Sequence, residues 1–230
     1  MDALERLKGA VIISCQAQKN EPFYDETAML AMLKSVVNGG AQGLRLAGER
    51  DIKNARANWS DMPIIGITKP DIIPDNYKEL VYITPTLEDV ELIATAGADI
   101  IAFDATLRAR EVSIEDIINK IHKLGCKAMA DISSFVEGAS AAKLGADLIS
   151  TTLSGYTTNT SHIAVDEPDF ELLKTLVKNI DCPIVLEGRI WEPYQVKRGF
   201  ELGAHCVVIG SAITRPKEIT GRYITQRGKK

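Results

Sequence analysis

Apolar and polar positions fall in blocks along this chain, and four of the blocks share one design. These are "GGAQGLRLA" (39–47), "AGADIIAFD" (96–104), "LGADLISTT" (144–152) and "LGAHCVVIG" (202–210). Each closes a stretch of helical spacing with glycine and alanine, then enters a short apolar run. Glycine just past a helix supplies the left-handed backbone of a C-terminal cap, so each block reads as helix, turn, strand. Four other apolar runs alternate with them: "AVIISCQ", "PIIGITK", "CKAMADI" and "CPIVLEG". Continuously apolar runs belong to strands buried on both faces of a parallel sheet, and eight such strands are predicted.

Helical patterns fill the gaps. Over 25–38, Met29, Leu33, Val36 and Val37 recur at helical spacing before "NGG" stops the helix. Thr86 with Asp89, Ser113 with Asp116 and Ser134 with Glu137 read as capping boxes. Pro168, Pro193 and Pro216 read as first-turn prolines. A ninth apolar run, "VYIT" (81–84), reads as the end of a long loop after the third strand. Eight strand–helix units in one chain of 230 residues predict a single-domain (β/α)8 barrel over 1–230. A doubly wound open sheet is the alternative. It needs a glycine-rich phosphate loop after the first strand, and "SCQAQKNEP" offers none.

Composition removes several functions. The chain is 45% hydrophobic and 25% charged, with a formal net charge of −4. Non-specific nucleic-acid binding, which needs a basic surface, is not expected, and an anionic ligand must be held by a local cluster. The four cysteines, Cys15, Cys126, Cys182 and Cys206, sit in or beside apolar runs and predict buried reduced thiols. The opening "MDALERLKGA" lacks the apolar core of a signal peptide, and no run reaches membrane-spanning length. A cytoplasmic chain with no membrane partner is expected. The three histidines show no ligand spacing, so no metal is expected.

In a barrel of this kind the reactive groups lie at the C-terminal ends of the strands. Those ends carry Gln16, Arg45, Lys69, Asp104, Asp131, Thr152, Glu187 and Ser211. Lys69 stands at the tip of "PIIGITKPD" (63–71), and Pro70 restricts it to extended geometry. One lysine at a strand end is ordinarily a solvated one. Several polar ends converging on one mouth point instead to a site. A lysine and carboxylates without a metal suit Schiff-base formation or proton transfer beside a carbonyl. After the last two strands, "EGRI" and "GSAITRP" supply Gly188, Arg189, Gly210, Ser211 and Arg215, with Pro216 opening a helix. Backbone N–H groups, two arginines and a helix start in that position predict an anion site for phosphate.

The fragments "SCQA", "GITKPD", "YITPTLEDV", "AGADIIAFDAT", "MADIS", "ISTTLSGYT", "LEGRI" and "GSAITRPKEIT", in order from about residue 11 to 226, resemble the N-acetylmannosamine-6-phosphate 2-epimerase family. The resemblance implies a cytoplasmic homodimer of sialic-acid catabolism, acting on a small sugar phosphate without metal, nucleotide or other cofactor. It would interconvert N-acetylmannosamine 6-phosphate and N-acetylglucosamine 6-phosphate. It implies Lys69 and Glu187 as catalytic, Gln16, Arg45 and Asp131 as sugar-binding, and Arg215 as phosphate-binding. Thr152, Gly188, Arg189, Gly210 and Ser211 complete the expected substrate contacts. On this reading Lys69 moves the proton at carbon 2, Glu187 serves the ring or aldehyde oxygen, and Asp131 orients the lysine or the sugar. Two departures stand out. The family usually reads lysine–arginine–aspartate at Lys69-Pro70-Asp71, and arginine–alanine–asparagine where this chain has "RLAGE". A Schiff-base aldolase or lyase and a non-catalytic sugar-phosphate sensor are the alternative readings.

Overall fold

The computed structural model describes residues 2–164 and 166–227. Its first half runs α1 (Ala3–Leu7), β1 (Val11–Cys15), α2 (Glu26–Asn38), β2 (Gly43–Ala47), α3 (Glu49–Asn58), β3 (Ile64–Ile67), α4 (Leu87–Ala96) and β4 (Ile100–Asp104). The second half runs α5 (Ile114–Lys123), β5 (Lys127–Asp131), α6 (Phe135–Lys143), β6 (Leu148–Ser150), α7 (Phe170–Asn179), β7 (Ile184–Glu187), α8 (Pro193–Glu201), β8 (Cys206–Ile209), α9 (Ser211–Thr214) and α10 (Pro216–Thr225). The eight strands are parallel and close into a barrel in chain order, with β8 returning to β1. The predicted (β/α)8 architecture is the observed one.

The recurring glycine does what its position requires. Gly40, Gly97, Gly145 and Gly203 have φ of +96°, +103°, +98° and +92°, a region costly for residues with a Cβ. Each turns a helix end directly into the next strand, so the four units share one compact joint.

Strand parity sorts the side chains into two cores. Leu44, Leu46, Ala128, Ala130, Ile149 and Leu186 pack in the layer shared with the helices. Ile12, Ile65, Ile67, Met129, Leu148 and Val185 fill the barrel interior. Leu7 of α1 belongs to the interior core and is fully buried, so this short helix plugs the barrel beneath β1. Successive residues of a strand face opposite sides. Two residues beyond the interior Ile67, Met129 and Val185, the same parity brings Lys69, Asp131 and Glu187 inward.

Three local expectations are corrected. Glu137 does not cap with Ser134; it accepts from the backbone N–H and hydroxyl of Ser133, both at 2.8 Å, and from the Leu107 N–H at 2.9 Å. Its carboxylate thereby ties the β4–α5 loop to α6. Pro168 lies before the N-cap Asp169 of α7, not in its first turn, because the Asp169 side chain accepts from the Leu172 N–H. At α5, Ser113 and Asp116 form half of a capping box: the serine caps the Asp116 N–H, while the aspartate returns to the serine hydroxyl. Thr86 with Asp89 forms the complete box, and Pro193 and Pro216 occupy first turns. The run 81–84 is the expected loop segment, in which Thr84 accepts from the Thr68 N–H and donates to the Ala102 carbonyl. All four cysteines are free; burial pushes the Cys15, Cys182 and Cys206 thiols up to about 12, which keeps them protonated.

Candidate active site

A cavity of about 570 Å³ opens at the C-terminal ends of the strands. Gln16, Lys69, Thr152 and Glu187 line it, and so do Gly188, Arg189, Gly210, Ser211 and Arg215. Nine of the eleven predicted site residues therefore meet in one space. Arg45 and Asp131 do not line it; they lie beneath its floor.

Arg45 is 1% exposed and Asp131 is fully buried. β2 aims Arg45 across the barrel, where its Nη2 donates to Asp131 Oδ2 at 2.5 Å and its Nη1 contacts Glu187 Oε2. Thr152 Oγ1 lies 2.8 Å from Asp131 Oδ1 and 3.1 Å from Glu187 Oε2, so a single hydroxyl stands between the two carboxylates and its one proton serves either. Asp131 is thus committed to Arg45 and Thr152 and does not bond to Lys69. This corrects the expectation that it orients the lysine. Arg45 Nε is buried with no partner among the described residues. A buried guanidinium holding two carboxylates costs desolvation that only good geometry offsets; here it fixes Glu187 in place.

Lys69, two positions past the end of β3, is partly buried at the cavity wall, with no side-chain hydrogen bond or ion pair among the described residues. Burial is the largest influence on its ammonium, and Arg45 repels it. Against the pull of Glu187 and Asp131, these bring its pKa down to about 8. Burial likewise raises Glu187 to about 7, with Asp131 adding and Arg45, Thr152 and Lys69 opposing. Among the described residues Glu187 uses only Oε2 for its side-chain partners, leaving Oε1 for another donor.

Toward β7 and β8 the cavity presents glycines and Arg215. Gly188 and Arg189 both have positive φ, +101° and +59°. Arg189 was expected to bind phosphate, but its guanidinium is occupied elsewhere. It donates to the carbonyls of Ser154 (2.6 Å) and Glu167 (2.9 Å) and lies 5.8 Å above the Tyr156 ring. Arg189 thereby braces the β6–α7 loop. Arg215 pairs with Glu21 of the β1–α2 loop. Asp104, at the end of β4, is turned to Arg108 and Arg110 and stays outside the cavity. Among the described residues no three His, Cys, Asp or Glu side chains converge as a metal site would require.

Several lining residues were not anticipated: Ser14, Tyr77, Tyr82, Tyr156 and Trp191. Ser14 shares strand parity with Gln16, whose Nε2 donates to its hydroxyl at 2.7 Å, and that spacing could have revealed it. The aromatics come from irregular loops with no such signal.

Residues 29–229 match the family described as "Putative N-acetylmannosamine-6-phosphate epimerase" (NanE). A relative from Clostridioides difficile, named "Putative N-acetylmannosamine-6-phosphate 2-epimerase", is 41% identical over 224 residues, covering 96% of this chain and 97% of its own. One of the same name from Caldanaerobacter subterraneus is 42% identical over 229 residues, covering 98% and 94%. The solved structure of the N-acetylmannosamine-6-phosphate 2-epimerase from Clostridium perfringens superimposes with a TM-score of 0.90 at 40% identity, over 98% of this chain and 96% of that one. By sequence over nearly its whole length, and by fold, the chain belongs to the N-acetylmannosamine-6-phosphate epimerase family.

Proposed function

We propose that this chain interconverts N-acetylmannosamine 6-phosphate and N-acetylglucosamine 6-phosphate by moving the proton at carbon 2 of the open-chain sugar. The observation that carries this is the placement of Lys69. It is the one cationic group at the cavity floor with no partner among the described residues, beside a carboxylate held rigidly by Arg45. Ring opening exposes an aldehyde, which makes the hydrogen on carbon 2 acidic. Neutral Lys69 takes that proton, and the enolate oxygen is served by Glu187, protonated in part near neutral pH. Rotation of the acyclic intermediate, anchored at its phosphate, presents the opposite face to the same lysine. Glu187 is tied to Arg45 and Thr152, which favours one base over two. No step calls for a metal or nucleotide, and Arg215 with the glycines after β7 and β8 supplies the phosphate end. Family membership supports a place in sialic-acid breakdown.

Proton NMR of N-acetylmannosamine 6-phosphate with the enzyme in heavy water tests this reading. Deuterium should enter carbon 2 as the second epimer appears, and Lys69→Met should slow both by at least the ~10²–10⁴-fold typical of a general base. Turnover without solvent exchange and unaffected by Lys69→Met would overturn it. Borohydride addressing the Schiff-base alternative should trap no adduct on Lys69.

A further inference from the structure

We propose that Glu21 is a positioning residue for the phosphate end of the substrate, holding the Arg215 guanidinium in its binding pose before the ligand arrives. This rests on the reading of Arg215 as the phosphate arginine. Arg215 lies at the junction of α9 and α10 and is only partly buried. A free arginine there would sample many rotamers, each of which binding must exclude.

Glu21 restricts it. Glu21 Oε1 pairs with Arg215 Nη2, while Oε2 accepts the Gln18 N–H at 2.8 Å. The turn closes a second time, with the Glu21 N–H donating to the Gln18 carbonyl at 2.9 Å. The carboxylate is therefore anchored to its own backbone and does not occupy the cavity as a mobile anion. It takes one terminal nitrogen only; Nε and Nη1 of Arg215 have no partner among the described residues and remain for phosphate oxygens. That geometry distinguishes a brace from a competitor. The same loop also joins the rim near the proposed base. The Lys19 N–H donates to the Asp71 carbonyl at 3.1 Å, and the two side chains pair at 3.1 Å, two residues past Lys69. One turn, 18–21, thus holds the phosphate arginine on one side and the exit from β3 on the other.

The test uses the full chain with inorganic phosphate, followed by calorimetry, alongside KM and kcat for N-acetylmannosamine 6-phosphate. Glu21→Ala should weaken phosphate binding and raise KM by about 3- to 10-fold, the cost of ordering one long side chain, with the loss in KM exceeding any in kcat. Glu21→Gln keeps an acceptor oxygen and should recover part of it. In an Arg215→Ala background, Glu21→Ala should add nothing. Tighter phosphate binding by either Glu21 variant would make Glu21 a competing anion and overturn the proposal. So would an unchanged affinity, or an equal loss with Arg215 absent. If Arg215→Ala itself leaves phosphate affinity and KM unaltered, the phosphate assignment of Arg215 fails, which is a separate result from a failure of Glu21.

Discussion

Replacing Lys69 with methionine should make the folded protein more stable while destroying the proposed chemistry. The ammonium drops from 10.5 to about 8 on folding, chiefly by burial and next by Arg45 repulsion, against the attraction of Glu187 and Asp131. A fall from 10.5 to about 8 corresponds to ~3.4 kcal/mol between the charged and neutral forms. Because Lys69 keeps part of its surface in water, about 2–3 kcal/mol is the better figure. The sign follows from proton counts. Between pH 8 and 10.5 the unfolded chain binds the proton and the folded one does not, so wild-type stability rises with pH across that window. Below pH 8 both states are protonated and the folded state bears the whole cost. Lys69→Met should therefore exceed wild type by its full margin at pH 7, or ~5–10 °C in Tm for a domain of this size. That margin should shrink to nothing by pH 10.5. Urea unfolding of both proteins at pH 7, 9 and 10.5 measures it. Equal stability at pH 7, or a margin that does not change with pH, would show that the Lys69 ammonium is not held desolvated beside Arg45.

Three further outcomes follow. If Lys69 must be neutral and Glu187 protonated, kcat/KM should be bell-shaped with its maximum between pH 7 and 8 and limbs set by the pair; a profile flat from pH 6 to 9 would contradict both roles. Arg45→Met leaves Asp131 and Glu187 as uncompensated buried carboxylates and should cost about 3–5 kcal/mol in urea unfolding at pH 7. Adding Asp131→Asn should return part of that, and no recovery would mean the two residues are not coupled. Gly66→Ala would drive a methyl into Ile93 and to 2.8 Å from Ala98 Cβ, between β3 and α4, and should lower stability by about 1–3 kcal/mol; an unchanged urea midpoint would refute the close packing there.

The barrel was legible because its signals are local. A glycine cap, an alanine and an apolar run need only neighbours in sequence, and parity along each run points Lys69, Asp131 and Glu187 to one side. What those side chains touch was not legible. Arg45 meets Asp131 and Glu187 across 86 and 142 positions of chain, and no spacing rule connects them. Asp131 therefore looked available to the lysine when it was already committed. Arg189 resembled a phosphate ligand by position, but its guanidinium donates to the carbonyls of Ser154 and Glu167, 35 and 22 positions away in the chain. Glu21 was passed over because a glutamate before proline in a loop carries no local signal. α3, half of it charged, buries only two apolar side chains among the described residues, Ile52 and Ala55, beside the carboxylate of Asp51, too few apolar positions to stand out.

The order of the strands around the ring has a kinetic consequence. Seven of the eight pairings join strands consecutive in sequence; one, β1 with β8, joins residues nearly 200 positions apart through Val11–Val207, Ile12–Val208 and Ile13–Ile209. Bringing those ends together carries the largest loop-closure entropy in the molecule, so this seam should be the last to zip during refolding and the first to open in native-state hydrogen exchange. The groups proposed for phosphate straddle it: Glu21 follows β1, while Ser211 and Arg215 follow β8. A bound phosphate would act as a clasp across the gap, slowing unfolding more than it speeds folding. Substrate occupancy and the lifetime of the closed ring would then be coupled through one ion pair.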